Sequence, residues 1–204
     1  MNKVYESEHP LVQHKLTFLR QTDTGARRFQ ELVWELSTLL AYEALAELAV
    51  TETSVTTPLD EAAGHVLAER VALVIGNSAY KNTSVLKNPR NDAEGISDAL
   101  SKMGFVVIKG LDVDQFNFRT LVRAFTRELK DAKLAVFFYA GHGLQVHGKN
   151  FLVPTDAVLK EEADLDFEAL DLKFIMQQME RGKLTNIVLL DACRDNPLAR
   201  NLAR

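Results

Sequence analysis

The sequence predicts an α/β fold, with a mostly parallel sheet flanked by helices and a helical appendage before it. From residue 70 onward, β-branched and apolar runs alternate with amphipathic segments, which is the order of strand–helix–strand units. Before residue 50, apolar residues recur at helical spacing instead. The chain has 204 residues, of which 47% are hydrophobic and 25% are charged, so we expect a packed core.

Residues 1–50 are predicted to form the helical appendage. Apolar residues at helical spacing predict a short helix over residues 11–19 and a longer one over residues 27–48, with Thr24 as the N-cap of the longer one. Residues 51–69 are rich in threonine and contain Pro58 and Gly64, which predicts a linker. The α/β domain is therefore expected to cover residues 70–204.

Four strands, one hairpin and three helices are predicted in that domain. Asn88 as the N-cap, Pro89 at the first helical position and Gly104 after the last turn define its first helix. The run LAVFFYAGHG is expected to be a strand that is buried on both faces. The hairpin follows it, with Gly148 in its turn. The predicted strands are residues 70–77, 105–110, 134–143 and 186–193, and the other helices are residues 114–130 and 172–181, the last ending at Gly182.

Composition and charge exclude several classes of function. The net charge is −4 and Lys and Arg form no block, so we expect no nucleic-acid partner. No apolar run approaches the ~18 residues of a spanning helix, and the N-terminus lacks the apolar segment of a signal peptide, so we expect a soluble cytoplasmic protein without a membrane partner. A single cysteine excludes a disulfide framework and a Cys-rich metal site. The acidic residues 161–171 do not match an EF-hand loop, so no cofactor or metal is predicted.

Two reactive side chains follow predicted strands at the end where parallel α/β sheets bind ligands. His142 lies between Gly141 and Gly143 after the third strand, and Cys193 follows the fourth. The two glycines are expected to let the backbone turn and to leave the imidazole open to a substrate. A thiol with a pKa near ~8.5 needs such a neighbour to become a thiolate. The backbone N–H groups of Gly143 and Cys193 are candidates for an oxyanion hole.

Each of these features has a plainer explanation when it stands alone. A lone cysteine at a strand end is more often a small buried hydrophobic residue, and Gly-His-Gly is compatible with an ordinary turn. The joint pattern favours catalysis, because both groups follow core strands and lie 51 residues apart. Caspases likewise place a histidine about 50 residues before the cysteine.

The motifs RVALVIGNSAY, LKNPRNDA, VFFYAGHG, FLVPTDA and LLDACRDNP follow one another in the chain. In this order they resemble caspase-like cysteine peptidases, specifically the bacterial metacaspase (orthocaspase) branch. The resemblance covers residues from about 70 to the end of the chain, roughly two-thirds of it. It implies a cysteine endopeptidase in which His142 is the general base and acid and Cys193 is the nucleophile, with a protein or peptide as substrate. Some metacaspases need calcium, but no motif here supports that requirement.

Two acidic residues are candidates for substrate binding. Asp191 precedes Cys193 by two positions, so strand alternation directs both side chains to the same face. Asp92 opens the helix after the first strand, where an acid is also favoured by the helix dipole alone. In the metacaspase-like branch, acids at matching positions line the pocket for the residue before the cut. The resemblance therefore implies cleavage after Arg or Lys.

The N-terminal segment has a different resemblance. The stretch EHPLVQHKLTFLRQTDTGARRFQELVWELSTLLAYEAL is similar to the N-terminus of uracil phosphoribosyltransferases, and the likeness fades before residue 70. That family binds its phosphoribosyl donor with a later acidic, glycine-rich loop that this chain does not contain. We therefore expect no phosphoribosyl transfer, and we interpret the segment as a helical fusion, natural or engineered.

The chain stops eleven residues after Cys193, whereas caspase-like domains continue for another subunit-sized stretch. The sheet is therefore expected to be the large-subunit part only, with an open edge. A separate C-terminal subunit or a homo-oligomer would complete it. The alternative function is a catalytically silent or partner-dependent interaction module.

Overall fold

The computed structural model describes residues 6–46, 48–181 and 184–193, and of Cys193 it describes the backbone. The chain divides into two compact units, Met1–Leu48 and Ala49–Arg204. In the part of the chain that the structure covers, no helix combines the length and apolarity needed to cross a bilayer.

The first unit contains helix α1 (Pro10–Leu19) and helix α2 (Ala26–Ala44). Both helices were predicted, but α2 ends four residues before the expected position. Its N-cap is Gly25, because the predicted cap, Thr24, donates its hydroxyl to the carbonyl of Phe18 at 2.6 Å. The two helices pack through a small apolar contact and an ion pair of 2.7 Å between Lys15 Nζ and Glu35 Oε2. The buried apolar residues of this pair are Val12, Leu32 and Leu36.

The stretch predicted to be a linker forms an antiparallel hairpin of strands β1 (Val50–Thr56) and β2 (Glu61–Leu67). The prediction of a linker gave Pro58 and Gly64 more weight than the β-branched residues between positions 50 and 57. Pro58 lies in the turn, which Thr57 closes by donating its N–H to the carbonyl of Asp60 at 2.9 Å. Gly64 lies within β2, so it did not mark the end of regular structure.

Six strands of the described residues form the central sheet. They are β3 (Arg70–Gly76), β4 (Val106–Leu111), β5 (Leu134–Val146), β6 (Lys149–Leu152), β7 (Leu170–Asp171) and β8 (Thr185–Cys193). Strands β4, β3, β5 and β8 are neighbours in that order and run parallel. Strand β6 pairs antiparallel with the last residues of β5, and β7 pairs with β6. The carboxyl ends of four parallel strands therefore meet at one edge.

Helices cover both faces of this sheet. They are α3 (Pro89–Lys102), α4 (Gln115–Glu128), α5 (Leu165–Glu168, after a 3₁₀ turn at Glu162–Asp164) and α6 (Leu172–Met179). One face packs against α3 through Ala72, Val74, Val136 and Phe138. The other face packs against α4 and α6 through a larger core that contains Phe118, Phe125, Phe137 and Ile175. The predicted fold class, a mostly parallel sheet flanked by helices, is confirmed.

Strand β5 is longer than predicted, and strand β8 lies at an edge of the sheet. Strand β5 does not end at Gly143 but continues to Val146, because residues 143–146 pair with β6. Among the described residues, β8 pairs with β5 alone, and Leu189 and Leu190 on it are 44% and 45% exposed. The predicted helix end at Gly182 lies outside the described residues.

Candidate active site

His142 lies inside strand β5, close to the carboxyl ends of the parallel strands. His142 is only 7% exposed. The flanking glycines had suggested an imidazole open to solvent, but the residue is buried. Strand β5 passes through Gly141 and Gly143 without a turn. The prediction that these glycines turn the chain sharply was therefore wrong, and Gly141 has another role.

Two tyrosines hold the backbone of His142. Its N–H donates to the Tyr80 hydroxyl at 2.8 Å, and its carbonyl accepts from the Tyr139 hydroxyl at 2.8 Å. The hydroxyls of the two tyrosines lie 3.3 Å apart, within hydrogen-bond distance. Burial raises the pKa of Tyr80 to about 12 and that of Tyr139 well above its ordinary value. Both hydroxyls therefore stay protonated at neutral pH and serve as fixed donors and acceptors.

Gly141 makes this arrangement sterically feasible. A Cβ atom at this position would lie 2.6 Å from the Tyr80 hydroxyl and 2.7 Å from the Tyr139 hydroxyl. Contacts that short do not occur between real atoms of these types, so an alanine would push both tyrosines away from His142. Glycine is therefore required at position 141, because it lets the Tyr80 and Tyr139 hydroxyls approach the backbone closely.

The imidazole of His142 is oriented by the loop between β3 and α3. Its Nε2 atom lies 2.8 Å from the carbonyl oxygen of Ser84 and 3.4 Å from the Ser84 hydroxyl. Because a carbonyl oxygen only accepts, Nε2 carries the proton, and in the neutral ring Nδ1 is the nitrogen with a free lone pair. The Tyr80 ring packs against the imidazole with 4.4 Å between ring centroids. The ring is therefore fixed in one tautomer and one orientation.

Residue 193 is the direct neighbour of His142 in the sheet. In the parallel pairing of β5 with β8, His142 is opposite Cys193 and Ala140 is opposite Asp191. Neighbouring strands lie about 4.8 Å apart, so the backbones of the two predicted dyad residues are adjacent. The thiol itself lies outside the described part of the structure.

The candidate oxyanion donor Gly143 is half-buried at the start of the β5–β6 hairpin. It pairs with Leu152, and the Val153 N–H donates to the carbonyl of His142 at 3.1 Å. In an antiparallel ladder this bond makes Gly143 and Leu152 a non-hydrogen-bonded pair, so the Gly143 N–H points away from β6. That N–H is therefore not used by the hairpin.

A family model described as a caspase domain matches residues 69–203, which is about two-thirds of the chain. The matched region contains the parallel sheet, its flanking helices, His142 and Cys193. The chain belongs to the caspase family. This caspase domain is thus the part of the protein that carries the candidate site.

Curated relatives of the caspase domain include two mammalian proteins. Human mucosa-associated lymphoid tissue lymphoma translocation protein 1 is 32% identical over 126 residues, which cover 62% of this chain and 15% of that protein. Its mouse homologue is 33% identical over 135 residues, which cover 66% of this chain and 16% of the homologue. The chain therefore spans only about a sixth of the length of these relatives.

The N-terminal segment is similar to a different family. A model described as uracil phosphoribosyltransferase matches residues 6–75. The enzyme of that name from Roseiflexus castenholzii is 50% identical over 74 residues, which are 36% of this chain and 36% of the enzyme. The chain therefore spans about a third of that relative, and the two predicted resemblances, to caspases and to this enzyme family, are both confirmed.

The two candidate specificity acids of the caspase domain lie on the α3 side of the sheet. Asp92 is half-buried in the first turn of α3, which packs against the end of β3 where Pro89 and Ala93 meet Gly76. Asp191 is exposed on β8, and its partner Ala140 faces α3, so Asp191 faces the same side. Both acids thus belong to the sheet edge that carries His142.

No pattern in the sequence identifies the residues that position His142. Tyr80 lies in the run RVALVIGNSAY and Tyr139 in VFFYAGHG, so both were inside recognised motifs, but no spacing rule assigns them a partner. Ser84 carries no signal in the sequence, because it acts through its backbone carbonyl.

A second group of buried polar contacts anchors the loop that carries Tyr80 and Ser84. The wholly buried Asn77 accepts from the Val113 N–H at 2.9 Å and donates to the Val153 carbonyl at 3.1 Å. Asp112 accepts from the N–H groups of Ser78 and Ala79 at 2.7 and 2.8 Å and lies 3.2 Å from Arg90 Nη1.

These contacts also set the charge state of Asp112. Partial burial acts to raise the pKa of this carboxyl group, but the two backbone N–H groups and the Arg90 guanidinium outweigh it and lower the pKa below its ordinary value. Asp112 is thus a carboxylate at neutral pH, and it holds the start of the loop against the end of β4.

Proposed function

We propose that the caspase domain of this chain is the dyad-bearing part of a cysteine endopeptidase that cleaves proteins or peptides after arginine or lysine. The observation that supports it most is the strand register, which sets residue 193 opposite a histidine whose ring is held in a single tautomer. Membership of the caspase family and similarity to its relatives favour peptidase chemistry over other uses of a thiol.

The proposed reaction uses the Nδ1 atom of His142 as the base. Nδ1 takes the proton of the Cys193 thiol, and the thiolate attacks the carbonyl carbon of the scissile bond to form a C–S bond. The Ser84 carbonyl stabilises the imidazolium, since it accepts the Nε2 proton at 2.8 Å. The imidazolium then gives its proton to the departing amine as the C–N bond breaks, and water hydrolyses the thioester.

The negative oxygen formed in the attack needs N–H donors. The Gly143 N–H is proposed for this role because it points away from β6, to the side of β5 where residue 193 lies. The backbone N–H of Cys193 is the second proposed donor. Two donors of this kind typically contribute about 3 kcal/mol each to the stabilisation of the transition state.

The preference for arginine or lysine rests on Asp92 and Asp191. Both carboxylates lie on the α3 side of the edge that carries His142, and Asp191 is two residues from Cys193. A substrate cation between two carboxylates would be favoured over an acidic side chain by electrostatic complementarity.

Covalent labelling tests the proposal directly, because the chain contains one cysteine and every thiol adduct must form at Cys193. A peptide chloromethylketone ending in arginine should label the parent faster than one ending in aspartate. The labelling rate should fall at least about 100-fold in His142→Ala, since a general base contributes about that much or more. Asp191→Asn should remove most of the preference for arginine and keep the reaction with iodoacetamide.

Cleavage of an arginyl peptide, with Cys193→Ala as control, completes this test. Equal labelling of the parent and His142→Ala, or equal rates with the arginine and aspartate reagents, would contradict the proposed dyad or the proposed specificity respectively.

One observation favours a second candidate, a catalytically silent or partner-dependent module. His142 is 7% exposed in the described chain, and β8 has exposed leucines on both faces. A partner that adds strands beyond β8 would then be needed to form the substrate groove. A chain that labels slowly with every reagent, alone and with an added C-terminal caspase-family segment, supports the silent module.

A further inference from the structure

Ser78 joins the β3–α3 loop to helix α3. Its carbonyl accepts from the Leu86 N–H at 3.0 Å, which closes residues 78–86 into a loop. Its hydroxyl accepts from the N–H of Arg90, in the first turn of α3, at 3.1 Å. Because Ser78 is buried, both contacts are largely shielded from water. A shift of this residue would therefore move the loop and the start of the helix together.

The two joined segments carry different parts of the proposed site. The closed loop contains Tyr80 and Ser84, which hold the backbone N–H and the ring Nε2 atom of His142, each at 2.8 Å. The first turn of α3 contains Asp92, one of the two proposed specificity acids. Ser78 therefore connects the groups that orient the base to a group that selects the substrate.

The carboxylate of Asp112, just after β4, fixes this connection. Its Oδ1 atom accepts from the N–H groups of Ser78 and Ala79 at 2.7 and 2.8 Å, and its Oδ2 atom lies 3.2 Å from Arg90 Nη1. The side chain of Asp112 is only 22% exposed, so solvent screens these charge-assisted contacts only in part. One carboxylate thus binds the loop and the helix at the same time.

The backbone of Asp112 indicates that its side chain is needed at this position. Its φ is 51°, in the left-handed region that glycine adopts most readily. Among the described non-glycine residues, only His147 also has a positive φ. An unfavourable backbone conformation persists where the surrounding contacts over-determine it, and such residues cluster at functional sites. The contacts of the carboxylate supply that support here.

The loop has further anchors, which do not reach α3. The Lys81 N–H donates to the Thr155 carbonyl at 2.8 Å. The Asn82 side chain donates to the carbonyls of Asp156 and Ala157 at 3.0 and 3.2 Å. These contacts attach the loop to the segment after β6 and keep it folded when the carboxylate is removed. A variant without the carboxylate therefore tests the position of the loop rather than its folding.

We propose that Asp112 is a positioning residue of the peptidase, whose carboxylate sets the orientation of His142 through the β3–α3 loop and the place of Asp92 through Arg90. This role rests on the proposed function, because it concerns the same site. Asp112 touches neither the substrate nor the reacting atoms and acts only through the two segments that it joins.

Replacement of Asp112 by glycine removes the carboxylate and suits the φ of 51°. Labelling of Cys193 by the arginine chloromethylketone should fall about tenfold, because a displaced base takes the thiol proton less well. In ¹⁵N-histidine NMR the His142 signals are assigned by their absence from His142→Ala. They should change from the Nε2-protonated form of the parent to a mixture of both tautomers, which a loss of stability alone would not cause.

Two further variants separate the contacts of the carboxylate. Asp112→Asn keeps an oxygen that can accept from the Ser78 and Ala79 N–H groups, so its labelling rate should stay within about twofold of the parent and its His142 tautomer should not change. Arg90→Gln releases α3 from Asp112, so the preference for the arginine over the aspartate reagent should fall about threefold. A long-range charge effect alone would raise that preference, because a cation is removed.

Asp114→Gly is the matched control. Asp114 is two residues further along, and its carboxylate accepts from the Asn117 N–H at 2.7 Å as the N-cap of α4. The substitution removes the same charge, and glycine is tolerated at an N-cap at little cost in stability. Labelling rate, preference for arginine and the His142 tautomer should all equal those of the parent.

An unchanged labelling rate and an unchanged His142 tautomer in Asp112→Gly would overturn the positioning role and leave the proposed peptidase intact. Equal losses in Asp112→Gly and Asp114→Gly would also overturn it, because they would show a general effect of charge. Equal labelling of the parent and His142→Ala would instead refute the proposed function. The tautomer is measurable whether or not the thiol reacts, so the two failures stay distinguishable.

Discussion

Replacement of Tyr80 by phenylalanine tests the environment of His142 with the loss of a single oxygen atom. Tyr80 is 5% exposed, and its hydroxyl is the acceptor for the His142 N–H at 2.8 Å. Phenylalanine keeps the ring and its packing against the imidazole, 4.4 Å between centroids. The substitution therefore removes the hydrogen bonds of the hydroxyl to the His142 N–H and to the Tyr139 hydroxyl and leaves the apolar contacts in place.

The expected cost follows from the position of the N–H that is left behind. His142 is 7% exposed, so its N–H would be buried without that acceptor. An unsatisfied buried donor costs about 1–3 kcal/mol, so we expect Tyr80→Phe to lower the free energy of unfolding by about 2 kcal/mol.

Tyr139→Phe is the matched control. The Tyr139 hydroxyl donates to the carbonyls of His142 and Val153, but each carbonyl has another donor, the Val153 N–H at 3.1 Å and the Asn77 side chain at 3.1 Å. The Tyr80 hydroxyl loses its contact with residue 139 but still accepts from the His142 N–H, so each partner keeps a hydrogen bond and Tyr139→Phe should cost only about 1 kcal/mol.

Urea denaturation at pH 7, followed by circular dichroism, measures both values. The slope of the unfolding free energy against urea should be unchanged in both variants, which shows that the same surface is exposed on unfolding. If Tyr80→Phe costs less than Tyr139→Phe, or less than about 0.5 kcal/mol, the reasoning from the buried His142 N–H is wrong.

Other predictions concern the packing and charge around the same sheet edge. Gly76→Ala should destabilise the domain by about 2 kcal/mol in urea denaturation, because its Cβ would lie 2.4 Å from the Pro89 carbonyl oxygen. Gly95, in helix α3, has open space around it, so Gly95→Ala should stabilise the domain by about 0.5–1 kcal/mol. If Gly95→Ala destabilised the domain more than Gly76→Ala, the packing argument would be refuted. Asp112→Asn, which tolerates the φ of 51°, should cost about 1 kcal/mol at pH 7 because the charge-assisted bonds and the Arg90 pair are lost. The pKa of Asp112 in the folded protein lies below its ordinary value of 3.8. The difference in unfolding free energy between the parent and Asp112→Asn should therefore be complete above pH 3.8 and disappear as the pH falls through the pKa of the folded state. A difference that does not change with pH would contradict this prediction.

The caspase domain was predictable to the level of its elements because their signals are local. Helix α3 begins at Pro89 and ends before Gly104, as its boundary residues indicate, and Gly104 has a φ of 79° that glycine adopts without strain. The β5–β6 hairpin turns at Gly148, also as predicted.

Elements whose signals conflicted locally were predicted less well. In the β1–β2 hairpin, β-branched residues favour strands while Pro58 and Gly64 favour a loop, and only the pairing of the two segments decides between them. Strand β5 was predicted to stop at Gly143, because glycine usually interrupts a strand. Its pairing with β6 carries it on to Val146 instead.

Local patterns in the sequence were enough to name the candidate catalytic and substrate-binding residues and the end of the sheet where they lie. Alternation of strands and helices places the carboxyl ends together, so His142, Cys193, Asp92 and Asp191 were expected near one edge. How His142 is held could not be predicted from those patterns. Its contacts with Tyr80 and Ser84 join residues 62 and 58 positions apart, and such contacts exist only when the sheet, the β3–α3 loop and Gly141 are packed together.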